Sequence, residues 1–349
     1  MKINFNTLPV GSLPYEDIQL CKQMMLRLFE KVPFLPELPL MDPNDNLLQR
    51  TIDNIPSFKF VDNKLIIDDR DYDKLMQFVM HIDKMLTSGS FDVKEYGFDT
   101  QFMFMHTKIL KRLKPKTTIV NLMGPFTLAN SIFNKNAASI LLDKTYRQFI
   151  FDTVLVKALW SIHKVKEASP ETVPLIMFDE KLLFKFGTLK RTNESITKET
   201  LTTLFSRLFA KVKKEGALVG VQAFEKCNWQ LIFESGNVDI ISFDAYNNPS
   251  NLNILAQSVN AYLAKGGLIN WGIIPVMNEN AIRSLNITTL QKRFESTIDA
   301  LSKEGVSMDL LLRNSTVSVQ GDLSKHPIIF AEKAIMMASQ LGAKLPAKN

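Results

Sequence analysis

The sequence predicts an α/β fold, a single (β/α)8 barrel (TIM barrel) with an insertion in its N-terminal half. Three observations carry that expectation. Short apolar runs alternate with longer amphipathic segments, the pattern of repeated βα units around a parallel sheet. Eight such runs can be placed in order. The chain has 349 residues, of which 46% are hydrophobic and 22% charged, enough apolar material for one large barrel core.

The expected strands lie near Leu8–Val10, Phe34–Leu35, Thr118–Leu122, Pro174–Phe178, Leu218–Val221, Ile240–Phe243, Leu268–Trp271 and Met308–Leu312. Helical patterns fill the gaps. In Asp17–Lys31, Ile18, Met25, Leu28 and Phe29 recur at helical spacing. In Lys198–Glu215, Leu201, Leu204, Phe205, Leu208, Phe209 and Val212 share one face, and Gly216 stops the helix. The stretch Ala137–Ser169 lacks both Gly and Pro. As one helix it would reach about 50 Å, more than a barrel needs, so a bend or break is expected inside it. The last helix runs from about Pro327 to Gln340, with Gly342 beyond it.

Residues 43–97 exceed a minimal βα unit. They hold an expected hairpin, Phe58–Phe60 and Lys64–Ile67 around Asp62-Asn63, and a helix Tyr72–Leu86. The expected layout is one barrel over residues 1–343, with 43–97 inserted and 344–349 a frayed tail.

Composition narrows the function classes. The net charge is +6, from 42 Lys+Arg against 36 Asp+Glu. The basic clusters Lys108–Lys116 and Lys211–Lys214 fall at helix ends, where cations complement the dipole. No nucleic-acid motif accompanies them, so no nucleic-acid partner is expected. The richest apolar stretch, Phe149–Trp160, is broken by Asp152 and Lys157, and Met1–Gly11 carries no apolar leader core. A cytoplasmic protein with no membrane association is the expectation. Two cysteines, Cys21 and Cys227, make neither a disulfide scaffold nor a four-thiolate zinc site.

Barrel active sites form at the C-terminal ends of the strands. The residues there are Gly11-Ser12, Glu37, Asn121 with Gly124, Asp179-Glu180, Gln222, Asp244, Trp271 and Arg313-Asn314. This polar ring suits a small molecule bearing an amine, a carboxylate or both. Taken singly, Ser12 or Asp179 could equally cap the following helix.

Several of these segments resemble the catalytic barrel of cobalamin-independent methionine synthase and its single-barrel relatives. They are Val10-Gly11-Ser12-Leu13-Pro14, the proline-rich Pro33–Pro39, Gly124–Asn130 as G-P-x-T-x-x-N, and Phe178-Asp179-Glu180 with Lys181 in place of proline. They continue with Val219–Val221 and Trp229, Val238–Tyr246, and Gly266-Gly267 with Trp271–Pro275. The matches run in order over most of the chain. They are also shared with the larger superfamily that includes uroporphyrinogen decarboxylases.

The resemblance implies methyl transfer from a folate or corrinoid to a thiol bound by zinc, which lowers its pKa. The family's ligands are a His-x-Cys pair, an acidic residue and a C-terminal Cys. The matching positions here are Gln222, Phe224, Asp244 and Gln320, and only Asp244 can ligate as expected. Neither Cys227 nor the four histidines have a spacing that replaces the missing ligands. No cofactor is therefore expected, and zinc only if this alignment is wrong. The resemblance implies that Asp179 contacts a substrate ammonium and Ser12 a carboxylate. The expected catalytic residues are Asp179, Glu180 and Asp244; the expected binding residues are Ser12, Glu37, Asn121 and Trp271.

Three functions follow. The first is a divergent methyltransferase-like member that binds a small amino-acid-like or anionic ligand. The second is a metal-free superfamily enzyme doing decarboxylase- or lyase-like acid–base chemistry. The third is a non-catalytic ligand- or partner-binding barrel. A homodimer and a folate or corrinoid methyl donor stay open.

Overall fold

The computed structural model describes residues 5–9, 11–53, 55–62, 64–68, 72–89, 101–192, 196–223 and 227–346. Nine strands are assigned among them: β1 (Phe58–Val61), β2 (Lys64–Ile67), β3 (Thr117–Met123), β4 (Ile132–Phe133), β5 (Val173–Asp179), β6 (Leu218–Ala223), β7 (Ile240–Phe243), β8 (Leu268–Ile274) and β9 (Ser315–Val319). The fold is α/β. Its centre is a curled, six-stranded, wholly parallel sheet in the order β3-β5-β6-β7-β8-β9. Buried side chains dominate all six strands, as a parallel sheet covered by crossover helices requires.

Two extended segments border this sheet. Thr7 forms a parallel one-residue bridge with Val317 of β9, Phe34 one with Ile119 of β3, and Ser12 one with Glu37. Backbone hydrogen bonds accompany them, Leu8 N–H to Val317 O, Leu35 N–H to Ile119 O, and Leu13 N–H to Glu37 O. The first two expected strands are thus present as single bridges. Val10 lies outside the described residues.

The expected strand Met308–Leu312 is a correction: Met308–Arg313 is a helix, and β9 follows it. Ser307 caps the helix by accepting from Leu310 N–H, and Arg313 pairs with Asp309 one turn back at 2.8 Å. A short, mostly apolar segment does not separate helix from strand by periodicity. The true strand, Ser315-Thr316-Val317-Ser318-Val319, looks polar but is buried throughout. Its hydroxyls are paired. Ser315 Oγ accepts from the Trp271 indole at 2.8 Å, and Thr316 Oγ1 donates to Asn270 Oδ1 at 3.0 Å.

The break expected within Ala137–Ser169 is at Asp143. A 3-10 turn, Ile140–Leu142, precedes it, and Asp143 caps the helix Lys144–Ala168 by accepting from Thr145 and Tyr146 N–H. The hairpin forms as β1 against β2, antiparallel, and β4 joins β2 in parallel. The next helix runs Tyr72–Ser88; Asn54, Asn63 and residues 69–71 and 90–97 of this region lie outside the described set. The last helix, Ile328–Gly342, includes Gly342. Part of the tail 344–349 is described. Leu345 is buried, and Asn6 Nδ2 donates to Gly342 O at 3.1 Å; residues 347–349 lie outside the described set. No helix of the described residues is long and apolar enough to cross a membrane.

Candidate functional site

The register of the sheet decides which side chains meet. Asn121 of β3 pairs with Met177 of β5, Met123 with Asp179, and Asp179 with Gln222 of β6. Partners in register project to the same face, and so do residues two apart. Asn121 and Asp179 are therefore diagonal neighbours on one face of adjacent strands. On that face an open cavity of about 240 Å³ is lined by Gly11, Ser12, Glu37, Asn46, Leu47, Leu48, Asn121, Met123, Asp179, Lys181, Gln222 and Asp322.

Five expected site residues thus come together: Ser12, Glu37, Asn121, Asp179 and Gln222. Glu37 is buried. Its Oε2 accepts from Leu47 N–H at 2.9 Å, tying the cavity wall 46–48 to the second extended segment. Burial pushes the Glu37 carboxyl up to about 7, partly offset by Arg50, whereas Asp179 adds to the rise. Burial also raises Asp179 to about 6, partly offset by Lys181. Asp179 Oδ1 and Asn121 Nδ2 are buried atoms without a hydrogen-bond partner. Gly11 leaves room beside them, since a β-carbon there would lie 2.8 Å from Glu37 Oε1 and 3.1 Å from Asn121 Nδ2 and these side-chain ends would have to shift.

Other expected residues are placed elsewhere. Glu180 was expected to be catalytic; it is fully buried beneath the helix Pro125–Ser131 and does not line the cavity. Its carboxyl accepts from Phe126 N–H at 3.0 Å, Thr127 N–H at 2.8 Å and Thr127 Oγ1 at 2.8 Å. Burial pushes it up to about 8 against these donors, which favour the charged form. Glu180 is a helix-capping residue supplied from the neighbouring strand end.

Asp244, also expected to be catalytic, is tied up. Its Oδ1 accepts from Asn247 N–H at 2.9 Å, and its Oδ2 from Asn247 Nδ2 at 2.7 Å and Gln320 Nε2 at 3.1 Å. Gln320 Oε1 in turn accepts from Val276 N–H at 3.3 Å. Trp271 was expected to bind ligand; its side chain is fully buried on the opposite face. It packs against Phe243 at 5.4 Å and Phe294 of the helix Ile287–Lys303 at 6.2 Å, ring centre to ring centre. Its strand neighbour Asn270 sits on the cavity-side face, where Nδ2 donates to Ser242 Oγ and Ser318 Oγ, both at 2.8 Å.

The zinc that the resembled family uses, not expected here unless the alignment is wrong, does not fit this donor set. Two amide N–H groups occupy the Asp244 oxygen that a metal would need, and Gln320 presents its nitrogen, not a lone pair, to it. Phe224 lies outside the described residues. Among the described residues no group of three or more His, Cys, Asp or Glu could hold a metal ion.

Neither protein-family models nor curated proteins match the chain. The site therefore rests on its own chemistry.

Six lining residues were not foreseen as site residues: Asn46, Leu47, Leu48, Met123, Lys181 and Asp322. Asp322 follows β9, so placing the last strand at Ser315–Val319 would have found it. Asn46 belongs to the insertion, for which sequence spacing offers no barrel position.

Proposed function

We propose that the chain is a divergent, zinc-free relative of the cobalamin-independent methionine synthase-type methyltransferases that binds a small, amine-bearing, amino-acid-like ligand. In this reading it is a (β/α)8 barrel over residues 1–343 with residues 43–97 inserted. The bridges Thr7–Val317, Ser12–Glu37 and Phe34–Ile119 support closure, because they link both edges of the six-stranded sheet through the two extended segments.

One observation carries the ligand class. Asp179 Oδ1 is buried at the cavity and lacks a donor. An idle buried carboxylate oxygen costs free energy that a ligand N–H would recover. Glu37 and Asp322 line the same space against one cation, the exposed Lys181, so with Asp179 itself a cation is favoured over an anion there. Calorimetric titration with 1-butylamine tests this. The wild type binds it and Asp179→Asn does not; equal binding by both refutes the assignment.

A second reading is metal-free acid–base chemistry by Glu37 and Asp179, with Asn121 donating to a developing oxyanion. It is favoured by two carboxyls raised to about 7 and about 6, close to operating pH. Glu180 and Asp244, both engaged in structural hydrogen bonds, take no part in it. A non-catalytic binding barrel is the third reading. It predicts that cells tolerate Glu37→Gln, whereas the acid–base reading predicts loss of function.

A further inference from the structure

Two residues that line the cavity carry buried polar atoms without a partner, of opposite kind. Asp179 Oδ1 needs a donor and Asn121 Nδ2 needs an acceptor. They belong to diagonal neighbours on β3 and β5, a separation that one small ligand spans. The acceptor sought by Asn121 is constrained by its surroundings. Around it stand the carboxyls of Glu37, Asp179 and Asp322, against one lining cation, the exposed Lys181. Gly11, lacking a β-carbon, lets Glu37 Oε1 and Asn121 Nδ2 crowd the same spot.

A ligand carboxylate at Asn121 would face these carboxyls; Arg50, which offsets Glu37, stands outside the lining of this cavity. A neutral carbonyl oxygen meets the same N–H without that repulsion. If it belongs to a primary amide, its NH2 supplies a further donor for the carboxyl oxygens. We infer that the cavity selects a small α-amino carboxamide, an amine accompanied by a neutral carbonyl, and discriminates against the free amino acid. Leu47, Leu48 and Met123 offer the apolar wall for a short aliphatic side chain.

This inference rests on the amine-binding reading above, and the experiment separates the two. L-Norvalinamide, L-norvaline and 1-butylamine are titrated into the full chain by calorimetry near neutral pH, where all three carry an ammonium. Norvalinamide is expected to bind at least about tenfold more tightly than norvaline, the scale of one unpaired or repelled buried polar group. In Asn121→Leu, and in Asn121→Asp should the first variant fail to fold, that margin is expected to vanish while butylamine binding persists. Norvaline binding as well as norvalinamide overturns this inference and leaves the amine reading standing. A margin that survives both Asn121 variants also overturns it. Failure of all three ligands to bind overturns both.

Discussion

Glu180 and Gly124 share one small volume at the ends of adjacent strands: a β-carbon on Gly124 would overlap the Glu180 carboxyl group. The glycine lets the carboxyl pass beneath the chain and reach the first turn of Pro125–Ser131. Gly124→Ala is therefore expected to destabilise the fold by about 2–4 kcal/mol, through overpacking and loss of these bonds. Urea unfolding measures it. A cost below about 0.5 kcal/mol would show that the carboxyl can move aside.

Glu180 also makes a pH prediction with a definite sign. Its carboxyl is raised from 4.5 to about 8 in the folded chain. Across that window the folded state holds a proton that the unfolded state has released, so stability falls as pH rises. Glu180→Gln removes the titration. The stability gap between wild type and variant should close as pH goes from about 5 to about 9. A gap that widens would contradict the raised value.

Asp179 and Glu180 are adjacent in sequence but should behave oppositely. Asp179→Asn is expected to abolish amine binding with little loss of stability. Glu180→Gln is expected to keep binding and lower the melting temperature. Calorimetry and thermal melts on the two variants check this, and the reverse pattern would exchange their roles.

Gln320 joins the ends of β7 and β9 and reaches the segment after β8. Gln320→Leu should cost about 1–3 kcal/mol, since it leaves a buried Asp244 oxygen with one donor fewer. Because the tie is made of amides, a chelator should leave the melting temperature of the wild type unchanged. Elemental analysis showing stoichiometric zinc, lost together with stability on chelation, would contradict this.

Gly11→Ala tests the cavity wall. The added carbon would press on Glu37 Oε1 and Asn121 Nδ2. Ligand binding should fall by about tenfold or more while the circular dichroism spectrum is kept. Unchanged affinity would place the ligand away from Asn121.

Much of this was legible in the sequence, and the failures have identifiable causes. The alternation of apolar runs and amphipathic segments places β3, β5, β6, β7 and β8, because a buried parallel strand needs a continuous apolar run. β9 breaks that rule. Its serines and threonine are tolerated inside because each finds a partner, such as Ser315 with Trp271 and Thr316 with Asn270, which lie far away in sequence. Among the site residues, Ser12, Glu37, Asn121, Asp179 and Gln222 line the cavity as strand-end positions. Trp271 and Glu180, expected at the site, turn away from the cavity for one reason. A strand end supplies residues to both faces, and whether Trp271 or Asn270 turns inward depends on a register no local pattern reveals.

Asn270 has a consequence beyond packing. Both its amide hydrogens and its carbonyl are engaged, to Ser242, Ser318 and Thr316. A hydroxyl-and-amide layer in the interior is usually an invitation to water or to a polar guest. Here it is saturated, so it offers no foothold. The unsatisfied valences of the site are concentrated at Asn121 and Asp179, on the opposite edge of the sheet from β9, so the proposed ligand would be held on that side.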